Sequence, residues 1–290
     1  MPACGGPPAS AGEGNDPAPR LLDRPEPFGF IRPGPSEEYD KTMAQRNSGG
    51  WGDSLKTVIY AALIAVFIRT FLYEPFNIPS GSMIPTLLVG DYLFVSKYSY
   101  GYSHYSIPLS PPLFSGRIFG SEPNRGDVVV FRLPKDDSTD YIKRVIGLPG
   151  DRIQMKEGLL YINEKPVVRE RLSDFVGEDP CGSDATARVK RWKETLPNGV
   201  TYESLDCVDN GFYDDTVVYT VPPGNFFMMG DNRDNSTDSR VQSAVGYVPF
   251  ENLIGRAQMI FFSVAEGEQA WMIWRWPTAV RWNRIFSIVR

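Results

Sequence analysis

Two hundred and ninety residues, 42% of them apolar and 22% charged, can bury a sizeable core and leave room for two domains. A formal charge of −5 offers no basic footprint for a polyanion, so nucleic acid is not an expected partner. With one histidine, His104, and three cysteines, His-rich metal sites, CxxC zinc ribbons and iron–sulfur clusters lack ligands, and neither a metal nor a cofactor is expected.

Residues 1–54 hold nine Pro and nine Gly and few aliphatic side chains, and read as a solvated, disordered tail. From Leu55 to Tyr73 the chain becomes LKTVIYAALIAVFIRTFLY. As a helix this reaches roughly 28 Å, about the thickness of a hydrocarbon core, and Arg69 near its far end can snorkel. A transmembrane helix over 55–74 is expected. A buried core helix and a cleaved leader ending near Ser80-Gly81-Ser82 are the alternatives, but the long tail and the charge before that site argue against cleavage. Lys41, Arg46 and Lys56 precede the span, and beyond it no cation follows before Lys97. The positive-inside rule puts the amino terminus in the cytoplasm and the rest outside.

Beyond Phe76 the runs DYLFVSKY, DVVVFRL, YIKRVIGL, LLYIN, TVVYTV, NFFMMG and AQMIFFSV alternate with Gly and Pro turns. Their lengths predict a mainly β, antiparallel domain over 75–155 and 221–290. Residues 156–220 are charged and loop-rich and read as a smaller inserted β/loop domain. Cys181 and Cys207 lie there and could pair in an oxidising compartment, for about 3 to 4 kcal/mol in the chain-entropy model, or remain two thiols. The end, WMIWRWPTAVRWNRIFSIVR, suits either a membrane surface or packing on the β domain.

G-x-S-x-G, S-x-x-K and H-E-x-x-H are all absent. What remains is Pro79-Ser80-Gly81-Ser82-Met83, a tight turn able to expose a hydroxyl beside a backbone N–H. His104, the one histidine a Ser-His-Asp triad could use, reads as a surface loop residue, so the bases available to a serine are Lys, Asp and Glu. A lysine can serve only if desolvation lowers its pKa. In Asp140-Tyr141-Ile142-Lys143-Arg144-Val145-Ile146, strand alternation puts Lys143 and Arg144 on opposite faces, so only one of the two cations needs to meet solvent. A third cluster, MMGDNRDNSTDSR over 228–240, predicts a loop rigid with Asx turns. A calcium loop is the alternative, disfavoured by Arg233 and Arg240 within it.

In this order, FLYEPFNIPSGSMIPTLLVGDYLFVSKYSYG, RGDVVVF with DYIKRVIGLPGD, and FMMGDNRDNSTDSR resemble the bacterial type I signal peptidases, membrane-bound serine proteases that remove signal peptides from exported preproteins. The resemblance implies Ser82 as nucleophile, Lys143 as general base, and the Ser82 N–H with the Ser80 hydroxyl as oxyanion hole. It further implies that Ser236 orients the lysine, that Asp238 and Arg240 form a structural ion pair, and that Arg144 and Asp231 support the site. Pockets for small side chains at −1 and −3 would involve Phe76, Ile78, Met83, Leu87, Val130, Tyr141 and Ile142. The expected partners are preproteins and the lipid bilayer, and the expected state is a monomer in the inner membrane facing the periplasm. One span and the 156–220 segment depart from the best-known members. The rivals are a membrane-anchored β-domain scaffold without catalysis and a self-cleaving repressor-type Ser/Lys protease, which should be cytosolic and carry a DNA-binding domain.

Overall fold

The structure is a computed structural model describing residues 51–177, 180–182, 187–268 and 270–290; of the tail expected over 1–54, residues 1–50 lie outside the described residues. Helix α1 (Trp51–Phe71) carries no Pro, and apolar side chains cover all its faces between Thr57 and Ile68. None of its residues is buried against protein, and it is long and apolar enough to cross a membrane. It starts before the expected Leu55 and ends at Phe71, because Tyr73 and Glu74 already belong to a strand.

The strands are β1 (Tyr73–Asn77), β2 (Asp91–Ser96), β3 (Val128–Arg132), β4 (Asp140–Gly147), β5 (Arg152–Lys156), β6 (Leu159–Ile162), β7 (Lys165–Pro166), β8 (Val168–Arg171), β9 (Phe175–Gly177), β10 (Ala187–Thr195), β11 (Thr201–Asp206), β12 (Tyr219–Thr220), β13 (Asn225–Met229), β14 (Val248–Pro249) and β15 (Leu253–Ser263). Most expected runs become strands, but TVVYTV yields only Tyr219–Thr220, with Val217 and Val218 turned to solvent.

The main sheet is antiparallel, in the order β1-β2-β15-β3-β4-β13-β14. In β2, Leu93 and Val95 point into the core while Tyr92 and Phe94 are half-buried, the alternation of a sheet wet on one side. Strand β3 is different. Val128 and Val130 join one apolar cluster with Ile78, Met83 and Leu87, whereas Val129 and Phe131 join another with Val145, Phe226 and Met228. With protein on both faces of β3, the neighbouring β4 is buried from Lys143 onward, although Asp140 at its start is exposed. Here the expectation that one of Lys143 and Arg144 meets solvent is corrected: both are buried.

Residues 156–220 contribute to two small sheets. One holds β8, β9, β10 and β11; the other pairs β12 with β5, β5 with β6 and β6 with β7. The Tyr219↔Ile153 register thereby joins the chain leaving this segment to the chain entering it. Cys181 and Cys207 form a disulfide with Cα atoms 5.9 Å apart, packed beside Ile84, Val189 and Leu205.

The C-terminal segment packs on the β domain, one of its two expected behaviours, and leaves part of its surface exposed. Arg284 Nη2 donates to Asp91 Oδ2 at 2.5 Å, Arg281 Nη1 to the Val89 carbonyl at 2.8 Å, and Val289 is buried, while Trp271, Trp274 and Trp282 are exposed. His104 is more enclosed than a surface loop residue: its ring lies tilted against Tyr105 with centroids 3.8 Å apart, and Nδ1 lies 3.2 Å from Glu251.

Candidate active site

Ser82 sits in a single 3₁₀ turn, Gly81–Met83, entered from extended Ser80 and closed by the Ile84 N–H on the Gly81 carbonyl at 3.2 Å. Met83 and Leu87, buried in the first core, anchor the turn and its exit. Lys143 projects from β4 toward it, in register with Val129 of β3. Its Nζ lies 2.7 Å from Ser82 Oγ and donates to the Ile142 carbonyl at 2.9 Å. Both side chains are nearly dry, Ser82 at 7% exposure and Lys143 at 4%. Burial pulls the Lys143 ammonium down from 10.5 to about 8, against the upward pull of Asp238 and Asp231.

Ser80 Oγ is 3.5 Å from Ser82 Oγ, on the solvent side of the turn. The two serines and Lys143 line a cleft of about 600 Å³ together with Tyr141, Ile142, Asp234, Asn235 and Ser236. His104 lines none of it, so no Ser-His-Asp arrangement forms.

The acidic loop after β13 closes the back of this cleft. Arg240 Nε and Nη2 each contact the Asp238 carboxylate at 2.9 Å, and Asp238 also accepts the Gly230 N–H at 3.0 Å. Arg144 makes the same forked contact with Asp231, at 2.8 and 2.7 Å, and Thr86 Oγ1 adds a bond of 2.5 Å to that carboxylate. Such paired forks satisfy ions that burial would otherwise penalise. Gly230 must be glycine because a Cβ there would run into both Ser236 Oγ and the Ser82 carbonyl. Ser236 Oγ is buried beside Asp238 without a hydrogen-bond partner of good geometry, and makes no hydrogen bond to Lys143.

The seven pocket candidates divide. Tyr141 and Ile142 line the cleft, and Phe76 is half-buried on β1. Ile78, Met83, Leu87 and Val130 lie beneath, in the buried core.

Sequence reasoning missed a second buried charge cluster. Arg233 Nη2 donates to Glu194 Oε2 at 2.5 Å and to Tyr202 Oη at 2.9 Å, and Tyr202 Oη and Ser204 Oγ donate to Glu194 at 2.6 and 2.9 Å. It ties β10 and β11 to the loop after β13, and Tyr202 also lies under the Arg144 guanidinium, 4.3 Å from its ring centroid. An acid inside a run as charged as ARVKRWKET carries no sign of burial, so only the fold could reveal it.

Residues 51–262 match the family described as "Signal peptidase, peptidase S26". A signal peptidase I of Rickettsia typhi is 49% identical over 212 residues, covering 70% of this chain and 77% of its own length. One of Rickettsia conorii is 44% identical over 269 residues, covering 86% of this chain and 97% of its own. A crystal structure of a signal peptidase I from Enterococcus faecalis aligns with 47% of this chain and 97% of that one, at 23% identity and a TM-score of 0.27. A family match over most of the chain, with relatives this similar over more than three quarters of their length, places it: the chain is a peptide hydrolase belonging to the signal peptidases, peptidase S26.

Proposed function

We propose that this enzyme cleaves signal peptides from exported preproteins with a Ser82–Lys143 dyad. The observation that carries the reading is the 2.7 Å contact between Lys143 Nζ and Ser82 Oγ with both groups buried. Neutral Lys143 takes the Ser82 proton as Oγ attacks the scissile carbonyl. The Ser82 N–H and Ser80 Oγ donate to the oxygen as it becomes negative. Lys143 then passes its proton to the leaving amine, the mature protein departs, and the signal peptide remains as an ester on Ser82. A water, deprotonated by Lys143, hydrolyses the ester and returns the proton to Oγ.

The substrate lies extended between 76–82 and 140–143, with small residues at −1 and −3 facing Phe76, Tyr141 and Ile142 over a floor of Ile78, Met83, Leu87 and Val130. Ser236, Asp238, Arg240, Arg144 and Asp231 keep the wall behind the dyad rigid. Helix α1 anchors a monomer in the inner membrane by a single pass. Its amino terminus is cytoplasmic, and the catalytic β domain, with 156–220 inserted in it, faces the periplasm. The exposed all-apolar face of α1 and the cations preceding it support this topology.

The test is cleavage of a preprotein by the full chain in detergent, with Ser82→Ala and Lys143→Ala beside it. Both variants are expected to be inactive while remaining folded. Cleavage surviving either change would overturn the dyad.

A further inference from the structure

Behind the Ser82 turn stands a fully buried side chain that the dyad does not use. The backbone N–H of Asn232 donates to the Ser82 carbonyl at 3.1 Å. Its side-chain Nδ2 donates to the Gly81 carbonyl at 3.1 Å and, with its second hydrogen, to the carbonyl of Pro180. Two carbonyls facing one amide atom require that atom to be the nitrogen, so the surroundings fix which way the side chain points.

The Gly81 carbonyl and the Ser82 N–H belong to one peptide unit. That unit is planar and trans, so its oxygen and its hydrogen point in opposite directions, and a donor held against the oxygen determines where the hydrogen aims. The bond also polarises the unit, making the hydrogen at its other end a stronger donor. We infer that Asn232 is a positioning residue for the oxyanion hole: by holding the Gly81 carbonyl, it aims and strengthens the Ser82 N–H. The inference rests on the Ser82–Lys143 reading and adds to it a residue that touches neither substrate nor the reacting hydroxyl.

Asn232 is itself held. Pro180 precedes Cys181, whose disulfide to Cys207 fastens the Pro180 carbonyl to the end of β11. From there the Cys207 and Val208 N–H groups donate to Asp234 Oδ2 at 2.7 and 3.0 Å. The Leu205 N–H reaches the Asp231 carbonyl at 2.9 Å and the Arg233 N–H the Leu205 carbonyl at 3.0 Å. The Cys207 sulfur packs 3.6 Å from Asn232 Oδ1. Disulfide, Asn232 and the Gly81–Ser82 peptide thus form one continuous chain of contacts.

The experiment uses the full chain in detergent with a preprotein substrate and compares Asn232→Leu, of similar size but uncharged and without the Nδ2 donor, with Asn232→Ala. Removing an oxyanion donor outright costs about 10²–10³ in kcat; here the donor stays and loses only its aim and polarisation, so a fall of about tenfold is expected. KM should stay within about twofold, and the acid limb of the kcat profile should not move, because the interaction matters only once negative charge develops. A kcat at the parent level, a loss carried by KM, or a displaced acid limb would each overturn the inference. Where neither Asn232 variant folds, the parent is assayed before and after reduction of the disulfide. A smaller loss confined to kcat supports the inference, and no loss overturns it. An inactive Ser82→Ala beside fully active Asn232 variants sinks this inference alone; an active Ser82→Ala sinks the dyad and this with it.

Discussion

An ammonium as dry as that of Lys143 costs the fold free energy, and the same cost makes it a base. Folded, it loses its proton near pH 8; in the unfolded chain it keeps that proton to 10.5. Between those values the unfolded state binds more protons, so stability rises with pH across this window; below pH 8 the penalty stands in full. Lys143→Met, of similar length and without charge, is therefore expected to stabilise the protein at pH 7 by up to about 3 kcal/mol while abolishing cleavage. Melting curves check it: the gain must shrink as pH climbs from 8 to 10.5, and a constant gain would refute the electrostatic origin. Activity runs the same way. kcat/KM should climb with an apparent pKa about 8, leaving the enzyme at pH 7 with roughly a tenth of its plateau value. A pH–rate profile flat between about 6 and 9 would remove Lys143 from the role of base.

At the scale of elements, charge pairing across strands decides what holds the site wall. Glu194 on β10 is buried; burial pushes its carboxyl up, and Arg233 with the Tyr202 and Ser204 hydrogen bonds outweighs this and holds it below the usual range. Glu194→Gln strands the Arg233 charge in the interior and should destabilise by about 3–5 kcal/mol, whereas adding Arg233→Met should recover much of the loss. Denaturant unfolding of the single and double variants measures this, and additive losses would contradict the coupling. Much of the frame was legible beforehand. The runs around Leu93, Val128 and Met228 have strand length and strand residues, and the serine turn, the lysine strand and the acidic loop each stood out by composition. Pairings were not legible from residue types: Arg144 finds Asp231 across 87 positions and Arg233 finds Glu194 across 39. Nor was the burial of both neighbouring cations, because alternation along β4 cannot tell that both faces of a strand are covered. Asn232 lies within the acidic motif over 228–240, yet its use of Gly81 depends on how the loop after β13 returns to the turn before β2.

For the whole molecule, the question is whether the apolar helix α1 belongs to the folding unit. No residue of α1 is buried, and the bonds that tie its end to the β portion come from its last residues: the Tyr102 hydroxyl donates to the Phe71 carbonyl at 2.8 Å and the Lys97 N–H to the Leu72 carbonyl at 3.0 Å. Arg69 pairs with Glu74 at 3.1 Å, but its side chain is 63% exposed, and such bridges contribute little. A chain beginning at Thr70 keeps every buried contact of the main sheet. It should therefore melt within a few degrees of the full chain, since stability follows buried apolar surface and the helix buries none within the protein. It should still cleave a soluble peptide that carries the −3 to −1 residues and continues past the scissile bond, while recovery in the membrane fraction falls sharply because the apolar helix is gone. Fractionation and peptide cleavage separate the two contributions. A truncated chain that melts far lower would make the helix part of the fold. One that stays in the membrane fraction would move the anchor to the exposed Trp271, Trp274 and Trp282, whose rings suit the interface between headgroups and lipid tails.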